Sequence, residues 1–295
     1  DYYIEAQRVG YQVVLGGLAG GDMALVDRGL RAIEWGYRPD VLGPANDWSQ
    51  NRDFGSILAH AAHPRTMFGA ASVKSIIAIL ESETLPTALR DRAMHLVVNV
   101  VEQSAAAYIA SGDAALFRTE CTNSSQISFQ STWMQGAYVL TGDETYKTEA
   151  KETIRQMMDL QLDSGAFGEQ GAYDTSYAVQ TLRELVVYRD MLNGAGGGVW
   201  HTQVSDFITR GANWLLGRIS PNGEIKTVGN SRTAADGEPI KGDFAKGWDL
   251  DQTAITLAQY AVAFGRWDEL APVITAVQYR GQQYDHIGDV APPTV

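Results

Sequence analysis

A single cysteine, Cys121, in 295 residues excludes an internal disulfide and any cysteine-rich zinc site. Cations are also scarce: 23 Lys and Arg stand against 35 Asp and Glu, a net charge of 23 − 35 = −12. No run of them forms a basic stripe, and a nucleic-acid partner needs many phosphate-neutralising cations, so none is expected. The same deficit weighs against a polyanionic ligand, although a local cluster of cations can sit within an acidic whole. No stretch approaches about 18 consecutive apolar residues, so no membrane span is expected. Apolar–polar alternation of strand type is scarce as well. The chain begins at Asp1 rather than methionine, so a targeting segment is expected to lie outside it, with a secreted or periplasmic location.

What is present is helical periodicity nearly everywhere. The spacing predicts helices over about 2–19, 22–36, 65–81, 87–109, 125–140, 143–162, 174–192, 200–218, 251–264 and 267–280. One signature recurs between them, a Gly-Asp turn, in Gly21-Asp22 and Gly142-Asp143 and more loosely in Gly112-Asp113. Glycine supplies the left-handed C-terminal cap and the following Asp caps the next helix. Connections alternate: short ones follow the first, third, fifth, seventh and ninth helices, whereas 37–64, 110–124, 163–173 and 219–250 are mostly longer. In an up-and-down array every second connection lies at the same end, and loops this long in a compact domain are usually functional. The reading is all-α: one domain over residues 1–295, a toroid or incomplete toroid of about five to six helical hairpins, with a polar crown at one mouth.

Four loops supply that crown. Loop 37–64 holds Asp47 and Trp48, then His60, His63 and Pro64. An indole beside amides and carboxylates suits a sugar subsite, the ring stacking while polar groups read hydroxyls; the same Asn and Asp residues also suit a loop closed by its own hydrogen bonds. His60 and His63 lack a third histidine nearby, so no metal site is expected. Either is a candidate general base, and His63-Pro64 equally suits the start of the third helix. Asn123 or Ser124 can cap the fifth helix, and Asn123 is also a candidate substrate-binding amide. In 163–177, Glu169 is a candidate carboxylate and Asp174 either a cap or a catalyst. Tyr173 and Tyr177, four apart, straddle the helix start, where a phenolate is favoured and proton transfer is eased. Loop 219–250 adds Asn230, Arg232, Trp248 and Asp249, with Arg232 a fixed cation for a carboxylate. Asp249 and Gln252 have capping-box spacing, which leaves Asp251 over as a candidate catalyst.

In its hairpin alternation, in Thr141-Gly142-Asp143-Glu144-Thr145-Tyr146, and in the block from Gly165-Ala166-Phe167-Gly168-Glu169 to Tyr173-Asp174-Thr175-Ser176-Tyr177, the chain resembles the α/α-toroid carbohydrate-active enzymes. These include polysaccharide lyases of the alginate and chondroitin type and six-hairpin glycosidases. The lyase resemblance implies β-elimination on a uronic-acid polymer, with no cofactor. Asn123 and Arg232 would neutralise the substrate carboxylate, and His60 or His63 with Tyr173 or Tyr177 would move the protons. Alginate-type lyases tend to carry an Asn-His pair, and here Ser124 follows Asn123. The glycosidase resemblance implies two carboxyl groups across the mouth, drawn from Asp47, Glu169, Asp174, Asp249 and Asp251. A third likeness runs through Asp249-Leu250-Asp251-Gln252-Thr253-Ala254, which is similar to the Asp-x-Asp-Asp-Thr-Ala motif of class II terpene cyclases. There Asp251 would donate the proton, and Gln252 replaces the last Asp. A non-catalytic glycan-binding toroid is the fourth reading. The expected partner in the first two and the last is an oligo- or polysaccharide; oligomeric state is not readable.

Overall fold

Asp22 folds the first turn as the Gly-Asp signature predicts: its carboxylate accepts from the backbone N–H groups of Ala24 (3.0 Å) and Leu25 (3.1 Å), and Gly21 before it takes φ = 67°. Asp143 repeats the device, accepting from Thr145 N–H (2.8 Å) after Gly142 at φ = 75°. The computed structural model describes residues 2–37, 58–193, 198–226, 229–231 and 247–286, with side chains for all of these except 2–9, 36, 58–65, 99, 193, 247–249 and 282–286. The helices are α1 Tyr2–Gly20, α2 Met23–Gly36, α3 Leu58–Glu81, α4 Thr87–Val97, α5 Ala106–Ala110, α6 Asp113–Glu120, α7 Ser124–Thr141, α8 Glu144–Leu160, α9 Thr175–Asn193, α10 Val199–Leu216, α11 Gly247–Ala263 and α12 Trp267–His286. A π-helical stretch, Val98–Ala105, joins α4 to α5. No strand forms among the described residues, only isolated bridges, and no described helix is long and apolar enough to cross a membrane.

Three boundaries differ from the sequence reading. Helix α3 begins at Leu58, so His60, His63 and Pro64 lie within it rather than in a loop. The alanine-rich stretch Leu58–Ala62 carries helix past the residue that marked its start, although Pro64 has no N–H to give to the turn before it. Helix α11 begins at Gly247, which puts Trp248 and Asp249 in its first turn rather than in the loop before it. Within the predicted loop 110–124, Asp113–Glu120 is helical, with Ala114 and Phe117 buried. The Gly112-Asp113 turn therefore starts a helix like its two siblings, but Gly112 itself is the cap residue, at φ = 81°.

Contacts divide the chain into two compact units, Asp1–Cys121 with Phe129–Ile154, and Thr122–Ser128 with Arg155–Val295. In the first unit α1 packs on α2 and α3. Backbones meet directly there: a Cβ on Gly29 would lie 2.7 Å from the Gly10 carbonyl oxygen, and one on Gly17 2.7 Å from Val26 N. Helices α3 and α7 approach as closely, since a Cβ on Gly69 would fall inside the Trp133 ring and one on Gly136 would meet Val73. Gln130 ties α7 to its neighbours: its amide nitrogen donates to Glu149 (2.8 Å) and its oxygen accepts from the Tyr108 hydroxyl (3.0 Å). In the second unit α9 packs against both α10 and α11, and α11 against α12.

Alternate helices are buried differently. In α2, α8, α10 and α12 the buried residues form one stripe, such as Tyr146, Ala150, Ile154 and Met157 in α8, the pattern of a helix with one covered face. Burial runs nearly all round α3 and α7; from Ser124 to Ala137 only Gln126 is even partly exposed. The buried polar side chains concentrate in these helices and in α9 and α11: Ser128, Gln130, Ser131, Thr132 and Gln135 in α7, Thr181 and Glu184 in α9, Thr253 and Thr256 in α11.

Two predictions arise from the first unit. Neither amide atom of Gln135 has a hydrogen-bond partner among the described residues, and such a group carries a desolvation cost of about 1–3 kcal/mol. Gln135→Met, unbranched and of similar length, should raise the melting temperature in thermal unfolding; a lower one would show that the amide is bonded. Asp27, on α2, is held below the usual carboxylate range by hydrogen bonds from Arg92 of α4 and then from Arg31. A depressed carboxyl stabilises the fold above its unfolded value, and this is lost as pH falls through its folded value. Melting temperatures followed from neutral to acid pH should therefore fall less steeply in Arg92→Met than in the parent.

Candidate functional site

The segment between α8 and α9 begins with a tight turn at Gly165 (φ = 90°), closed by Leu162 N–H to Ala166 O (2.9 Å). Ala166 and Phe167 are buried, and the Phe167 ring meets Phe207 of α10 edge-on at 5.4 Å. Gly211, also on α10, leaves the space in which the Phe167 ring sits. Apolar anchoring of Phe167 thus fixes where the polar residues that follow emerge.

Gly168 O accepts from Ser124 N–H (2.9 Å), and Glu169 then exchanges backbone bonds with Ala172 (2.9 and 3.1 Å). Gln170 (φ = 53°) and Gly171 (φ = 78°) make the two-residue turn between them, the left-handed pair that a tight hairpin demands. The Glu169 side chain is only 2% exposed and accepts from the Ser125 hydroxyl (3.1 Å) and N–H (3.3 Å). It therefore caps α7 from 44 residues away, a carboxylate at the positive end of a helix. Asp174, 4% exposed, accepts from Tyr177 N–H (3.1 Å) and caps α9.

Asn230 serves the same helix. Its side-chain oxygen accepts from the Thr175 N–H (3.1 Å) and lies 2.9 Å from the Thr175 hydroxyl. Ser231 donates through its hydroxyl to Glu169 O (2.8 Å) and through its N–H to Tyr173 O (2.8 Å). Five residues singled out in the sequence, Asn123, Glu169, Tyr173, Asp174 and Asn230, are thus gathered at the N-terminal ends of α7 and α9, with Tyr177 one turn into α9. The two carboxylates are buried in capping bonds, while Tyr173 and Tyr177 are partly exposed.

Asp251 is not part of this cluster. It sits in α11, with its carboxylate against Gly281 of α12, where a Cβ would lie 2.8 Å from its Oδ1; neighbouring Gln252 accepts from Arg183 (2.9 Å). Asp47, Trp48 and Arg232 lie outside the described residues, and the side chains of His60, His63, Trp248 and Asp249 do too. Among the described residues no three of His, Cys, Asp and Glu come together as a metal site would require.

The sequence reading missed Ser125, Thr175 and Ser231, the partners that hold the cluster, and it missed Trp214 and Arg218. Arg218 lies across the rings of Tyr173 (5.2 Å) and Trp214 (5.7 Å), rings that are themselves 5.1 Å apart. An i, i+4 Trp-Arg pair at the end of a helix, just before a Gly-bearing loop, was the available signal. No protein family matches the chain, and neither a curated protein nor a solved structure matches it.

Proposed function

We propose that this chain is a carbohydrate-active enzyme of the (α/α)-toroid type that cleaves a uronic-acid-containing polysaccharide by β-elimination. The observation that carries the reading is the division of labour at the α7 and α9 N-termini. Glu169 and Asp174 are buried in capping bonds, whereas Tyr173 and Tyr177 are partly exposed residues beside them. Hydrolysis by paired carboxyl groups needs both to reach the sugar; β-elimination needs a group that accepts a proton from carbon and one that gives a proton to oxygen. The near-complete burial of α3 and α7 beside the one-stripe helices α2 and α8 supports the toroid, since inner helices of such a fold are covered on more sides than outer ones.

In the reaction the C5–H bond of a uronate breaks and a phenolate takes the proton. The electron pair becomes the C4=C5 double bond, and the C4–O bond breaks toward the leaving oxygen, which receives a proton. The substrate carboxylate must be neutralised for C5–H to acidify. Asn123 at the start of α7 and the partial positive charge of the two helix ends serve that need, and Arg232 is a further candidate. Tyr177 is the first choice for proton transfer.

The test is a panel of acidic and neutral polysaccharides, each scored for released reducing ends and for the ultraviolet absorbance of an unsaturated uronide. Absorbance that grows on an acidic polymer supports the reading. Reducing ends without absorbance would make the protein a hydrolase, and no change on any polymer would remove carbohydrate cleavage altogether.

A further inference from the structure

The geometry points to a binding subsite for one acidic sugar ring on the surface formed by Tyr173, Trp214 and Arg218, an inference that rests on the carbohydrate reading above. Three segments build it: the end of the loop before α9 gives Tyr173, the last turn of α10 gives Trp214 with Arg218 just past the helix end, and the turn at 219–226 closes beneath the guanidinium. Arg218 donates through Nε (3.1 Å) and Nη2 (2.8 Å) to the Lys226 carbonyl, which fixes the plane of its charge across the two rings. Tyr173 is held from the other side: its hydroxyl occupies the space over Gly229, whose φ of 86° and missing side chain both serve that approach.

Tyr173, Trp214 and Arg218 are all partly exposed, and Lys226 and Gly229 are exposed, so the stack is a surface rather than a core. Two cations, Arg218 and Lys226, stand there in a chain of net charge −12. The combination fits a uronate: aromatic faces take the apolar face of a sugar ring, and a cation held beside them favours its carboxylate. The platform adjoins the proposed reaction centre through the chain itself, since Tyr173 precedes Asp174, and Asn230 follows Gly229.

The test uses the full chain and calorimetric titration with tetrauronides of mannuronate, galacturonate and glucuronate, each beside its carboxyl-reduced neutral counterpart. Melting temperatures are measured for every variant. At least one tetrauronide should bind the parent more tightly than its neutral counterpart. Trp214→Ala should raise its Kd about 10-fold, the equivalent of about 1.4 kcal/mol, while Trp214→Phe keeps a ring and recovers most of the affinity. Arg218→Met should remove the preference for the acidic ligand. Unchanged affinity in Trp214→Ala would overturn the subsite while leaving the lyase reading standing. Equal losses in Trp214→Ala and Trp214→Phe, with lowered melting temperatures in both, would make the stack a loop clamp and overturn it too. A parent that neither binds nor cleaves any uronide would remove the lyase reading and the subsite together.

Discussion

Tyr177→Phe should lower turnover on the cleaved polymer at least about 100-fold, the usual scale for removing a general acid or base, with the melting temperature unchanged within about 1–2 °C. Phenylalanine keeps the backbone N–H through which Tyr177 joins the α9 cap on Asp174 (3.1 Å), so the melting temperature measured beside turnover separates lost chemistry from lost structure. Turnover and melting are to be measured on the same preparation. A variant as active as the parent would show that Tyr177 takes no part in proton transfer.

Gly211→Val is expected to have the largest effect on stability, about 3 kcal/mol, at the upper end of the usual cost of overpacking. A Cβ at Gly211 would lie 2.0 Å from Cζ of Phe167, which is 2% exposed and braced against Phe207. For a chain of this size that loss corresponds to a fall in melting temperature of about 5 °C. Because Phe167 anchors the segment that delivers Glu169 and Tyr173, activity should fall below the melting point as well. Gly211→Ala separates the two contributions: alanine gains about 1 kcal/mol in helix propensity over glycine, so the clash equals the measured net destabilisation plus about 1 kcal/mol. A stable, fully active Gly211→Val would mean that α10 and the Phe167 segment do not meet as described.

The two predictions divide along what the sequence makes legible. Helix positions and most turns are local properties, and Gly21-Asp22 and Gly142-Asp143 are readable because glycine and its capping Asp are adjacent. Helix starts at Leu58 and Gly247 are harder. Pro64 and Asp249 each carry a strong starting signal, and helix begins six residues before Pro64 and two before Asp249. The functional cluster is legible as a set of residue types and illegible as an arrangement. Nothing near Glu169 in sequence says that its carboxylate will be buried on Ser125, 44 residues earlier. Asn230 likewise finds Thr175 across 55 residues. Those long-range bonds change the chemistry assigned to the site, because they commit the acids to capping, beside tyrosines that are partly exposed. Trp214 and Arg218 were passed over for a related reason: their partner, Tyr173, comes from a different segment.

The central claim is that bond cleavage at this site proceeds by β-elimination. It is tested most directly by stoichiometry on a purified polyuronate: unsaturated ends, from ultraviolet absorbance, counted against reducing ends released over the same interval. The account predicts one unsaturated end for every reducing end, with both rates falling together in Tyr177→Phe. Reducing ends that accumulate with no unsaturated product would contradict it.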